Sequence, residues 1–204
     1  MTNNDCGEVE VKYYLPVPKD RRDFTWVLYR FQERLELRER YLPFRCPECR
    51  KVDEIAAIHS GVDADVRVKA RADYCLSSDG LILFSERLLQ LCQTQGIGGF
   101  EPIALPGDPR YVIAFPTCLI KTDAARAGIE LHGRVCSMCG RPHETTFLPT
   151  LTSLTLPSDP LTLFMSEIWS EKGSDRMCWF HASEKVVGIF KKEKVSGVEY
   201  RRPY

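Results

Sequence analysis

The chain has 204 residues, 44% hydrophobic and 27% charged, an ordinary composition for a globular protein able to bury a sizeable core. Lys plus Arg and Asp plus Glu balance at 28 each, so the molecule has no net field to draw a polyanion such as nucleic acid or an anionic membrane. The start, "MTNNDCGEVE", lacks the basic-then-apolar pattern of a secretory signal, and no apolar run approaches the roughly 20 residues that span a bilayer, so the expected location is cytoplasmic.

"VEVKYYLPVP" (9 to 18) alternates weakly and ends in prolines, which predicts a short strand. "FTWVLYRFQERLELRERYLPF" (24 to 44) reads two ways. Its Arg and Glu content suits a helix, whereas "LELRER" alternates like a strand, and Pro43 ends either one. "KVDEIAAIHSG" predicts a short helix stopped by Gly61. "DVRVKARADYCL" (65 to 76) alternates and predicts a strand, followed by a turn at "SSDG".

Residues 81 to 105, "LILFSERLLQLCQTQGIGGFEPIAL", align without a gap with 179 to 203, "WFHASEKVVGIFKKEKVSGVEYRRP". Ser85, Glu86, Gly99 and Glu101 match Ser183, Glu184, Gly197 and Glu199. In each stretch an apolar strand runs into Ser, a favoured N-cap. Glu follows at the positive end of the helix dipole. Leu88, Leu89, Leu91 and Cys92 match Val186, Val187, Ile189 and Phe190 as one apolar stripe. A glycine turn and a second strand close each copy. Two strand–helix–strand units predict an α+β protein with a mixed sheet in a single domain, 1 to 204. Between the copies, "PGDPRYVIAFPTCLI" predicts a loop and a strand, and "LPTLTSLTLPSDPLTLF" is expected to be mostly extended.

Nine cysteines are poor material for a disulfide framework in a reducing compartment. Four fall in pairs: Cys46 and Cys49 in "RCPECRK", Cys136 and Cys139 in "VCSMCGR". Cys6, Cys75, Cys92, Cys118 and Cys178 are scattered and read as small apolar residues or incidental thiols. Zinc takes about four soft ligands in a tetrahedron, and a Cys-x-x-Cys turn supplies half of them. Gly140, directly after Cys139, suits such a knuckle because glycine tolerates positive φ; Arg50 holds that place in the first knuckle. The 86 residues between Cys49 and Cys136 exceed the spacing of ordinary zinc ribbons, but loop-closure cost grows only logarithmically. The expected site is therefore one structural, zinc-ribbon-like centre of Cys46, Cys49, Cys136 and Cys139.

Two other chemistries compete. "CPEC" before a short helix is a setting that lowers a thiol pKa, which fits a thiol-disulfide oxidoreductase using Cys46 and Cys49. "FPT" (115 to 117) is similar to the proline loop facing such a site. "RERYLPFR" is not the apolar strand that should lead into the motif, and the second pair would have no role. A nucleic-acid-binding zinc ribbon would use Arg45, Arg50, Lys51, Arg134 and Arg141, but basic residues beside thiolates also offset their charge, and no helix carries a dense basic face. His132 and His143 flank the second pair, where outer-shell or substitute ligands would sit, but such residues are more often surface or satisfied core histidines. "GIGGF" (96 to 100) lacks the strand-to-helix setting of a phosphate loop. No nucleophile–base pair stands out, so no enzyme is expected.

The early "CPEC", the late "CSMCG" and the "SE-K/R" helices closing on "G-x-E" resemble the double-CxxCG motif family of bacterial proteins, with Arg50 a departure from its glycine. Some members of that family are immunity proteins paired with toxins exchanged between neighbouring cells. The resemblance implies a cytosolic protein whose partner is a cognate protein toxin, neutralised by direct binding, and it carries over only Cys46, Cys49, Cys136 and Cys139.

Overall fold

The structure is a computed structural model that describes residues 12–19, 25–31, 35–121, 130–146, 156–166, 170–172, 175–177 and 179–202. Its first half runs β1 (Tyr13–Pro18), β2 (Tyr29–Phe31), β3 (Leu35–Leu37), a 3-10 helix (Glu39–Phe44), α1 (Glu54–His59), β4 (Tyr74–Leu76), β5 (Ile82–Ser85), α2 (Glu86–Gln95) and β6 (Phe100–Ala104). Its second half runs β7 (Tyr111–Pro116), β8 (Leu119–Ile120), β9 (Glu130–Val135), β10 (Pro142–Thr146), β11 (Met165–Ser166), β12 (Ser170–Lys172), β13 (Asp175–Met177), β14 (Ala182–Ser183), α3 (Glu184–Lys192) and β15 (Val198–Arg201). The class is α+β, with small antiparallel sheets, one parallel pair (β8 with β11) and few helices. Among the described residues no helix is long and apolar enough to cross a membrane.

Two sheets carry the architecture, in strand orders β4-β5-β7-β6 and β14-β1-β15. In the first, β7 lies between β5 and β6, antiparallel to both. In the second, β1 lies between β14 and β15, again antiparallel to both. The prolines of β1 fit this placement. Tyr13 and Tyr14 pair with β14, while Leu15 to Pro18 pair with β15. Pro16 and Pro18 thus fall where only one side of the strand is occupied, and a missing N–H costs no ladder bond on the other.

Each main helix begins as its sequence dictates. The Ser85 hydroxyl accepts from the N–H of Leu88 at 3.1 Å, and that of Ser183 from Val186 at 3.3 Å. Leu88 and Cys92 of α2, and Val186, Val187 and Phe190 of α3, are buried. They cover a core in which Phe84 meets Tyr74, Phe100 and Phe180 at ring-centroid distances of 5.4, 5.1 and 6.2 Å. Such aromatic contacts add about 0.5–1.5 kcal/mol each beyond burial.

The structure settles the ambiguous stretch after residue 24. Its described part contains no α-helix: β2 and β3 form a hairpin, and the 3-10 helix carries Pro43 inside it and ends at Phe44. The short helix before Gly61 forms as α1, capped by Asp53, whose carboxylate accepts from the N–H of Ala56 at 3.1 Å. The strand expected over 65 to 76 is shorter, since only Tyr74–Leu76 pairs. The alternation there is real as burial, with Val66 and Val68 inside and Arg67 outside, but side chains serve the backbone instead of a neighbouring strand. Val68 donates to Asp108 at 3.1 Å, Lys69 to the Thr25 hydroxyl at 3.2 Å, and the Tyr111 hydroxyl donates to the carbonyls of Ala70 and Ala72. Residues 148 to 155 of the stretch expected to be extended lie outside the described residues; 156 to 164 is irregular apart from bridges at Thr162 and Phe164.

His181 is an ionisable residue held in the core. It is 2% exposed, stacks on Phe164 with rings 12° apart, and neither ring nitrogen has a hydrogen-bond partner among the described residues. Burial depresses its pKa to about 4. The unfolded chain therefore binds a proton near pH 6.5 that the folded one refuses, and folded stability falls as pH drops from 6.5 towards 4. His181→Leu removes this linkage. The stability gap between the variant and the wild type is expected to widen by about 2 kcal/mol between pH 7 and 5, because each pH unit spent between the two pKa values costs the wild type roughly 1.4 kcal/mol. Urea unfolding of both proteins at the two pH values measures it; a constant gap removes the buried histidine as the source.

Candidate metal centre

The two cysteine doublets build the same local structure. In the first, the Cys46 N–H donates to Lys51 O at 2.8 Å and the Arg50 N–H donates to Cys46 O at 2.9 Å. In the second, Cys136 donates to Arg141 O and Gly140 to Cys136 O, each at 2.9 Å. Arg45 bridges Val52 across the first turn as Val135 pairs with Pro142 across the second. The turn needs a left-handed residue after its second cysteine, and both supply one: Gly140 has φ +68° and Arg50 has φ +62°. The departure at Arg50 leaves the turn intact, at the roughly 1 kcal/mol that a side chain adds in this region.

These turns face each other. The Cys46 and Cys136 sulfurs are 3.8 Å apart, those of Cys49 and Cys139 3.5 Å, and all four lie within 4.8 Å of one another. Those separations are far beyond the 2.05 Å of an S–S bond, and the four thiols are free. They do match the edge of a tetrahedron with metal–sulfur bonds near 2.3 Å, which is about 3.8 Å. The four cysteines therefore come together where they could hold one metal ion. The donor set is all sulfur, which suits zinc or iron and disfavours magnesium or calcium.

The surroundings tie one turn to the other. The Lys51 ammonium donates to Pro142 O at 2.8 Å, and the Arg141 guanidinium donates to Val52 O and to the Glu54 carboxylate. The Ser137 hydroxyl donates to the Glu48 carboxylate at 2.8 Å and holds it below the usual carboxylate range. Within the site, the backbone N–H of Cys49 aims at Cys46 and lowers that thiol to about 7, whereas burial pushes Cys49 up to about 12. Within that turn Cys46 ionises before Cys49, and a metal would displace the proton that Cys49 keeps.

Lys51 and Arg141 were legible only as basic neighbours of thiolates; the structure aims them across the junction at backbone carbonyls. Sequence reading did not reach the apolar side chains beside the centre. Ile55 and Met138 are 42% and 63% exposed, and with Phe44, Cys46 and Cys139 they line a cavity of about 450 Å³. Their only sequence signal was an apolar residue inside a turn, as Met138 is. Of the other candidates, Cys75 and Cys92 are buried in the core, and Cys118 is half-buried at the end of β7. Cys6 and Cys178 lie outside the described residues, as do the side chains of His132 and His143 on β9 and β10. No family model matches the chain, and no curated protein matches its sequence.

Proposed function

We propose that this protein is a non-enzymatic binding protein, stabilised by one structural zinc ion on Cys46, Cys49, Cys136 and Cys139, that neutralises a cognate bacterial toxin in the cytosol by direct contact. The convergence of four distant thiols within 4.8 Å supports the zinc most. The metal's contribution is to the scaffold: with four thiolates closing the tetrahedron, no coordination position is left for substrate. The zinc-ribbon-like turns and the duplicated strand–helix–strand unit are the features that resemble the double-CxxCG family, and the immunity role rests on that resemblance. The exposed apolar side chains lining the cavity are consistent with a protein partner, since such clusters mark contact surfaces.

The test is whether a toxin-like protein is encoded beside this one and, where it is, co-expression of the two. The expected result is co-purification of the pair and survival of cells that the neighbour alone kills. Killing that persists at full expression of both proteins sinks the immunity reading.

A second reading rests on the Cys46–Cys49 turn itself, which sets two free thiols two residues apart just before α1. A thiol-disulfide oxidoreductase would reduce a disulfide substrate with Cys46 and Cys49 and would survive loss of Cys136. Zinc-dependent stability without reductase activity decides for the scaffold.

A further inference from the structure

Hydrogen bonds in the two halves recur at one spacing. The Glu86 N–H donates to Arg110 O, and that of Glu184 to Lys12 O, both pairs 98 positions apart. Thr117 donates to Gly99 O, and Lys19 to Gly197 O, again at 98. Strand register keeps the same offset: Ser85 pairs with Tyr111 and Ser183 with Tyr13, while Phe100 pairs with Pro116 and Val198 with Pro18. The correspondence therefore reaches beyond the helices to β1, "YYLPVP", and β7, "YVIAFP".

Between these parts the offset becomes 89 or 90. It is 90 for the cysteine turns, for Lys51 and Arg141, and for the carbonyls of Val52 and Pro142 that these two cations reach. It is 89 where Cys75 pairs with Leu83 and Phe164 with His181, the later residues of which are themselves 98 apart. One half has about eight more residues before its turn, and the other regains them after it. Chance does not place hydrogen bonds, register and turns on one such map.

We infer that the chain is two copies of one unit in tandem, residues 12–109 and 110–202, that each copy lends its first strand to the other's sheet, and that the cysteine centre is a clasp to which each copy gives two sulfurs. Strand β7, which opens the second copy, lies between β5 and β6 of the first; β1, which opens the first, lies between β14 and β15 of the second. The contacts of the two glycine turns cross over likewise. Gly98 exchanges backbone hydrogen bonds with Leu161 and Leu163, and Ser196 O accepts from Tyr74. The molecule is thus a fused pseudo-dimer, and its metal site is complete only when both copies contribute. The clasp rests on the zinc reading above; the strand exchange does not.

A protease site inserted in the whole chain between the exposed residues Pro109 and Arg110 tests both parts. After cleavage the two pieces should still elute together at the position of the uncut 23.4 kDa protein and retain the same metal content per pair. Pieces that separate in native buffer, each with its own cooperative melt, overturn the exchange. Pieces that stay together without metal keep the exchange and overturn the clasp. A second variant needs no insertion: residues 13–18 are replaced by the sequence of 111–116. The chimera should melt cooperatively within about 10 °C of wild type, the shift that repacking one strand causes in a chain of this size, while the same six residues in reverse order should not fold. A chimera as unfolded as the reversed control overturns the equivalence of the two strands.

Discussion

Cys139→Ser is expected to empty the metal centre and lower stability by several kcal/mol, although Cys139 is exposed and removing its sulfur leaves no core cavity. A structural zinc ion contributes on the order of 10 kcal/mol of apparent folding energy in small domains. Loss of one of four thiolates forfeits much of that, because a hydroxyl is a poor substitute for a soft donor. The same fall should follow when wild type is treated with a strong chelator. Cys118→Ser, outside the cluster, should leave metal content unchanged. Elemental analysis of the purified proteins, read beside their thermal melts, provides the check. Equal metal content and equal melting in Cys139→Ser and wild type would remove the site.

Gly197→Ala and Gly99→Ala are expected to cost about 2–4 kcal/mol each, combining a left-handed backbone with forced overlap. Gly197 has φ +80°, and an added Cβ would overlap the Ala72 side chain and lie 2.6 Å from Tyr74 O. Gly99 has φ +87°, and its Cβ would overlap the carbonyl of Leu163. In each case the obstruction is backbone or a Cβ fixed to it, which cannot swing aside as a long side chain would. For a chain of this length the melting temperature should fall by roughly 5–15 °C. Gly188, inside α3 with nothing within 4 Å of an added Cβ, is the control. Its replacement by alanine should stabilise by about 1 kcal/mol through helix propensity. Melts of all three variants that move the same way would show that the two turns are not tightly packed.

What the sequence carried and what it hid divide along physical lines. Cys-x-x-Cys turns are written in contiguous residues, so four ligands could be named although 86 positions separate the doublets. The Ser-Glu helix starts were equally local, because an N-cap acts on residues three positions away. The correspondence of β1 with β7 was hidden. The strands share only their first Tyr and last Pro, and the eight-residue offsets on either side of the turns break any simple alignment. Alternation from 65 to 73 misled because period two records which side chains are buried, not which backbone groups are paired. Here Asp108, Thr25 and Tyr111 meet the backbone from across the fold. Ile55 and Met138, which line the cavity beside the centre, come from segments distant in sequence and carry no periodic signal.

The position of β1 bears on how the protein is made. Pro18 pairs with Val198, so β1 leaves the ribosome 180 residues ahead of its partner (198 − 18). At about 5–20 residues per second, the wait is roughly 10 to 35 s. Throughout it an apolar strand has neither neighbour, which is the state in which nascent chains stick to one another or are held by chaperones. The β4-β5-β7-β6 sheet likewise lacks an interior strand until residues 111–116 emerge. Closure of the β14-β1-β15 sheet is therefore a late, long-range event, and the yield of this protein in cells should respond to translation rate and chaperone supply more than that of a protein built from neighbouring hairpins.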